Sequence, residues 1–195
     1  MAYDSTATKE RILTAATAEF AAHGVAGARV DRIAAQARAN KRAIYDYFGD
    51  KDKLFAAVLE RLMADLAEAV PPGDDDLPAY AERLFDHHRA HPEALRLLLW
   101  EALELGDRPV PGEEARTRHY RDKVRAVGGE DSRTRLFLAL GLVGWSLAMP
   151  QLRRMILGPD DGPGDDPERA LDRLRSDIAR AVRALPATGP AAEQA

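Results

Sequence analysis

Apolar residues recur along this chain at intervals of three and four, and nowhere do they alternate long enough to suggest a strand. From about Thr8 to Ala22, Ile12, Ala16 and Phe20 fall on one helical stripe, and Gly24 stands just past its end. Val30, Ile33, Ala34 and Ala37 make a second, narrower stripe, which Arg38, Ala39 and Asn40 interrupt. Asn40 is a favoured N-cap, and the helix it opens, Lys41 to Phe48, is expected to bury Ile44 and Phe48. Asp50 caps a fourth helix reaching about Val70, with Leu54, Val58, Leu62 and Leu66 one turn apart, and the run Pro71 to Asp76 stops it. The pattern continues with helices over about 78–90, 92–105, 113–127, 132–157 and 166–185. The expectation is an all-α chain of about nine helices, with a three-helix head over 1–53, a larger helical body over 54–185 and a disordered tail over 186–195.

The last two helices bear on assembly. Leu136 to Met149 is apolar on nearly every face, and Gly141 and Gly144 permit close backbone approach. A helix of that kind must be buried on more than one side. Leu171, Leu174, Ile178, Val182 and Leu185 form a seam on the final helix. Either both helices close the core of one protomer, or part of their surface meets a second copy. Pro150, inside the apolar stretch, is expected to kink or break it.

The head carries the chemistry. A short helix that starts with Lys41 and Arg42, bears Tyr45 and Tyr47, and rests on another short helix has the shape to enter a DNA major groove. Lysine or arginine at such a position can donate to guanine O6 and N7. Arg29, Arg38, Asn40 and Lys51 are placed to hold phosphates.

The stretch Lys9 to Glu60 resembles the DNA-binding domain of TetR-family transcriptional regulators. The residues that carry the likeness are Ile12-Leu13, Ala15-Ala16 and Phe20, then Gly24, Val30 and Ile33-Ala34. They continue with Ile44-Tyr45-x-Tyr47-Phe48 and Lys51-x-x-Leu54. The resemblance implies a helix-turn-helix domain followed by an effector-binding body with a cavity among its helices. It also implies a homodimer built from the last two helices as a four-helix bundle, and repression as the default sign of regulation. The sequence departs from the family pattern at four positions. Ala28 and Ala43 stand where a hydroxyl residue is usual, Arg38 replaces a turn glycine, and Asp46 puts a carboxylate on the reading helix.

A net charge of −4 looks wrong for a partner of DNA until it is divided. Residues 29–53 hold seven cations against four carboxylates, a surplus of three, so the remainder of the chain carries −7. Phosphate attraction follows the local patch. The rest of the composition is ordinary: 46% hydrophobic and 31% charged, with no cysteine and so no disulfide or Cys-ligated metal. The first residues show no secretory pattern, and the apolar run of Leu136 to Met149 falls short of the ~20 residues a membrane helix needs. The chain is expected to be cytoplasmic, with no membrane partner and no cofactor.

In the body, His88, Arg96, Trp100, Tyr120, Trp145 and Met149 are candidates to line a pocket for a small organic effector, against the plainer reading that they fill the core. His87 and His91 lie one turn apart, half of a zinc site; with no further ligand evident, no metal is expected. No nucleophile elbow, glycine-rich phosphate loop or His-x-x-x-His with a flanking catalytic Glu suggests an enzyme. The sequence therefore reads as a DNA-binding transcriptional regulator, a dimeric repressor of a near-palindromic operator released by a small molecule. The alternative is a helical small-molecule-binding module that does not bind DNA.

Overall fold

A computed structural model describes residues 5–71, 76–157 and 167–186, and their regular structure is wholly α-helical. In chain order the helices are α1 Ser5–Gly27, α2 Val30–Gln36, α3 Lys41–Phe48, α4 Lys51–Ala69, α5 Leu77–Ala90, α6 Pro92–Leu105, α7 Glu113–Val127, α8 Ser132–Ala148, α9 Pro150–Leu157 and α10 Pro167–Arg183. The all-α expectation holds, with one helix added. The stretch expected as a single helix over 132–157 is two, α8 and α9, bent by 88° where they meet. Proline lacks an N–H and its ring clashes with the preceding turn. Met149 accordingly leaves helical geometry, at φ −116° and ψ 63°. The Arg153 guanidinium then donates to the Ser146 carbonyl at 3.1 Å, occupying an acceptor near the break.

By packing, the chain groups into two compact units. One compact unit takes in Met1–Glu68 and His91–Glu114, the other Ala69–Ala90 and Ala115–Ala195. The first unit thus contains α1–α4 and also α6, which lies along α1. Its core is Ile12, Ala16, Phe20, Ile33, Ile44, Leu54, Phe55, Val58, Leu59 and Leu97, with Phe20 and Phe55 edge to face at 5.1 Å. Gly24 is the key between α1 and α6. It breaks α1 at φ 66°, ψ 179°, and a Cβ added there would lie 2.9 Å from Trp100 Cε3. Only glycine meets both demands. Arg96 Nε donates to the Ala21 carbonyl at 3.1 Å, just before that break.

In the second unit α10 packs mainly on α5 and to a lesser extent on α8. Ile178 and Val182 are buried, so this part of the α10 seam is used inside the protomer. Ion pairs fix the same face: Arg89 engages Glu168 and, at 2.7 Å, Asp172, while Arg175 meets Asp86 at 2.8 Å and Glu82 at 3.2 Å. α8 differs. Leu136, Ala139 and Val143 face inward, whereas Phe137, Leu138 and Trp145 are 75%, 42% and 58% exposed. Asp166, expected to open the last helix, lies outside the described residues, as does the expected tail 186–195 beyond Pro186.

Candidate nucleic-acid interface

α3 is held in place by short-range devices. The Asn40 carboxamide oxygen accepts from the Arg42 N–H at 2.9 Å, which makes Asn40 the cap that its residue type suggests. Ile44, 2% exposed, is the one fully buried side chain of the helix, and Phe48, expected to be buried, is only half so. The turn before the helix runs through Arg38 at φ 50°, the left-handed conformation that costs an L-residue about 1 kcal/mol or more. Arg11 Nε donates to the Ala37 carbonyl at 3.1 Å and Ala39 N–H to the Ala34 carbonyl at 2.9 Å, and these bonds brace the turn. Asp50 caps α4 through the Lys53 N–H at 2.8 Å.

The other end of α2 reveals a residue that the sequence analysis missed. With Ala28 in place of a hydroxyl residue, the N-cap Arg29 has no side-chain cap bond. Glu19 of α1 supplies an acceptor instead. Its Oε1 accepts from the Arg29 N–H at 2.9 Å and from Arg32 Nε at 2.8 Å and Nη2 at 2.5 Å, while the side chain is only 6% exposed. Burial pushes the Glu19 carboxyl upward, but the Arg32 guanidinium and the Arg29 amide outweigh it and hold the group below the usual carboxylate range. A signal existed: Glu19 stands seven residues after Ile12, an acid on the apolar stripe.

All eight expected DNA-contact residues fall in the first unit. Arg29, Arg38, Asn40, Lys41, Arg42 and Tyr45 are exposed, and Tyr47 and Lys51 are half-buried. Several have partners within the protein. Lys41 Nζ meets Asp31 Oδ1 at 2.8 Å, Arg42 lies 3.9 Å from Asp46, and Lys51 Nζ is 3.5 Å from the Ala26 carbonyl. The Lys9 ammonium sits 5.3 Å from the centre of the Tyr47 ring. The exposed face of α3 therefore offers charged donors and a phenol at the start of a helix, the inventory that reads base edges and phosphates.

The six effector candidates are divided between the two units. Arg96 and Trp100 serve the α1–α6 contact of the first unit, whereas His88, Tyr120, Trp145 and Met149 belong to the second. His88 is buried, Tyr120 and Met149 are half-buried and Trp145 is exposed. The second unit does hold a buried polar centre. Lys123, 3% exposed, donates to the Tyr80 hydroxyl at 2.7 Å and lies 4.9 Å and 6.0 Å from the Tyr80 and Tyr120 ring centres. Burial lowers the Lys123 ammonium to about 8 and raises the Tyr80 phenol. Burial, with the neighbouring Lys123 charge, also depresses the His119 imidazole. Lys123 sits on a polar helix whose pattern gave no hint of burial. As for the histidines, α5 ends at Ala90, and His91 caps α6 with Nδ1 3.5 Å from Glu93. No group of three or more His, Asp or Glu among the described residues is arranged to hold a metal ion.

This arrangement, a braced helix-turn-helix followed by a helical body, recurs in known proteins. Residues 12–58 match the family described as bacterial regulatory proteins, tetR family, and residues 76–183 match the tetracyclin repressor-like C-terminal domain. The chain belongs to the TetR family of helix-turn-helix transcriptional regulators. It is 46% identical over 194 residues to the HTH-type transcriptional repressor SCO4008 of Streptomyces coelicolor, covering 94% of this chain and 97% of that one. It is 38% identical over 106 residues to the HTH-type transcriptional repressor NicS of Pseudomonas putida, about half of each protein. The solved structure of SCO4942 from Streptomyces coelicolor, described as a transcriptional regulator, superposes with a TM-score of 0.73 at 35% identity, over 90% of this chain and 96% of that one. Regulators of this family bind DNA, typically dimerise and bind small-molecule effectors, and are generally not enzymes. No single helix among the described residues is long and apolar enough to cross a membrane.

Proposed function

We propose that this protein is a cytoplasmic repressor that binds a near-palindromic operator as a homodimer and lets go when a small organic molecule occupies its body. The observation that carries the reading is the exposed face of α3, with Lys41, Arg42 and Tyr45 open to solvent on a helix anchored by Ile44. Lys41, Arg42, Tyr45 and Tyr47 read bases, and Arg29, Arg38, Asn40 and Lys51 hold the backbone phosphates.

The dimer forms through the two C-terminal regions, about 132–157 and 166–185. α8 supplies most of the apolar surface, because Ile178 and Val182 of α10 are already spent within the protomer while Phe137, Leu138 and Trp145 are open. Two-fold symmetry would set two α3 helices against successive major grooves, about 34 Å apart. The effector is recognised by aromatic and polar groups of the second unit, drawn from His88, Tyr120, Trp145 and Met149. α6 is the element that can report its arrival: it follows α5 and precedes α7 in the chain, and it is keyed to α1 through Trp100 and Arg96. An effector that binds one conformation better lowers DNA affinity by that difference.

The test is a gel-shift and footprint with the DNA flanking the protein's own coding region. An inverted repeat should be protected, and binding should weaken steeply with salt. A chain that retards no DNA yet binds a small molecule would instead be a ligand-binding module, for which Arg38, Ala43 and Asp46 are the residues that argue.

A further inference from the structure

Three aspartates of the helix-turn-helix, Asp31, Asp46 and Asp50, pair with its lysines and arginines, and one of them differs in kind. Asp46 pairs with Arg42 within α3, at 3.9 Å. Asp50 pairs with Lys53 at 3.3 Å while also capping α4. Asp31 instead reaches from the first turn of α2 to the first residue of α3, where its Oδ1 holds Lys41 Nζ at 2.8 Å. The pair crosses the helix-turn-helix. Asp31 is 75% exposed and Lys41 48%, so both are open to solvent.

Two physical facts fix the sense of this contact. Asp31 sits at the N-terminal end of α2, where the unpaired amides favour a negative group. Lys41 sits at the N-terminal end of α3, where those amides disfavour a cation, so the carboxylate offsets a local conflict. The hydrogen bond to Asp31 also lifts the Lys41 ammonium above its usual value, keeping it charged.

An ammonium has three donors, and one is committed to Asp31. The others can still serve a neutral acceptor such as guanine O6 or N7, because a base edge carries no net charge for Asp31 to repel. A phosphate is different: to reach the paired Lys41 it must come within a few ångströms of the Asp31 carboxylate. We infer that Asp31 is a specificity-determining residue, which by holding Lys41 across the α2–α3 turn turns that cation toward base edges and against phosphates. The inference rests on the proposed role of α3 as the DNA-reading helix.

The experiment is a double-mutant cycle on the full chain, with Asp31→Asn, Lys41→Ala and the pair together. Affinity would be measured by anisotropy against the protein's own flanking DNA and against poly(dI-dC) duplex, over a range of salt. Asp31→Asn is expected to bind poly(dI-dC) about two- to five-fold more tightly, the scale of an exposed ion pair. Its salt dependence should steepen by about one unit, one more phosphate being neutralised. Affinity for the flanking DNA should rise less, so the specific-to-non-specific ratio falls, and the gain should vanish in the Lys41→Ala background. Unchanged non-specific affinity, or an equal gain without Lys41, would overturn the inference. A wild-type protein with no preference for its flanking DNA would instead sink the regulator reading itself. Asp31→Ser, which keeps a polar group in the first turn of α2, guards against a helix-start defect posing as either result.

Discussion

α3 buries one side chain, Ile44, and turns cations and a phenol to solvent, whereas α8 buries Leu136, Ala139 and Val143 and turns Phe137, Leu138 and Trp145 to solvent. Both surfaces are unfilled by their own protomer, but water treats them differently. The charged groups of α3 are well solvated, so that face can wait exposed and be occupied reversibly. The apolar groups of α8 carry a continuing penalty of about 25 cal/mol per Å² of exposed apolar surface. Contiguous patches of this sort mark interfaces. The contrast suggests a standing protein–protein contact at α8 and a transient, salt-tunable contact at α3.

The largest effect should come from charging the α8 surface. Phe137→Asp combined with Trp145→Asp should weaken dimerisation roughly 1,000-fold, about 4 kcal/mol if each aromatic is a hot spot. Sedimentation would register it as a shift to monomer with retained helicity; an unchanged mass would remove α8 from the interface. Next is the anchor of α3. Ile44→Ala should cost about 3 kcal/mol in chemical denaturation, the usual scale for a large-to-small change in a core. It should spare the dimer and abolish tight DNA binding. If it altered the dimer instead, the two surfaces would not be independent.

The third test sets an exposed lysine against a buried one. Asp31 raises Lys41, whereas burial lowers Lys123 to about 8. Lys123 therefore loses its proton in the folded chain before it does in the unfolded chain, whose lysines titrate near 10.4. Between about pH 8 and 10 the unfolded state binds more protons, so this group makes stability rise with pH, and below about 8 its penalty is constant. Tyr80 acts oppositely above pH 10, where its raised phenol stays protonated in the fold. Lys123→Met should flatten the rise between pH 8 and 10 in thermal melts; an unaltered profile would mean that Lys123 is hydrated. The smallest effect is expected at the turn before α3. Arg38→Gly should relieve the positive φ, adding about 1 kcal/mol and raising Tm by roughly 2–4 °C.

The head was legible because its signals are local. Asn40 and Asp50 sit where caps belong, and the bonds to Arg42 N–H and Lys53 N–H form as the residue types suggest. Ile44 and the Ile12–Phe20 stripe point inward as their periodicity requires. Pro150 announced a break, although not that two separate helices would result. What escaped the sequence depends on partners far along the chain. Trp100 could line a pocket or fill the core, and nothing in its own helix reveals that it packs against Gly24. The α10 seam could close the protomer core or meet a second subunit, and its own pattern could not show that Ile178 and Val182 are buried within the protomer. Glu19 stood out only as an acid on an apolar face, and its reason lies in the missing cap at Ala28 and Arg29.

The central claim is that the open face of α3 reads DNA. The most direct measurement compares wild type with Lys41→Ala/Tyr45→Ala by anisotropy, on the flanking DNA and on an unrelated duplex of equal length. The account predicts that specific affinity falls at least tenfold, the loss of about 1–3 kcal/mol per base-reading contact, while the dimer mass and Tm stay put. A variant that holds the flanking DNA as tightly and as selectively as wild type would contradict it.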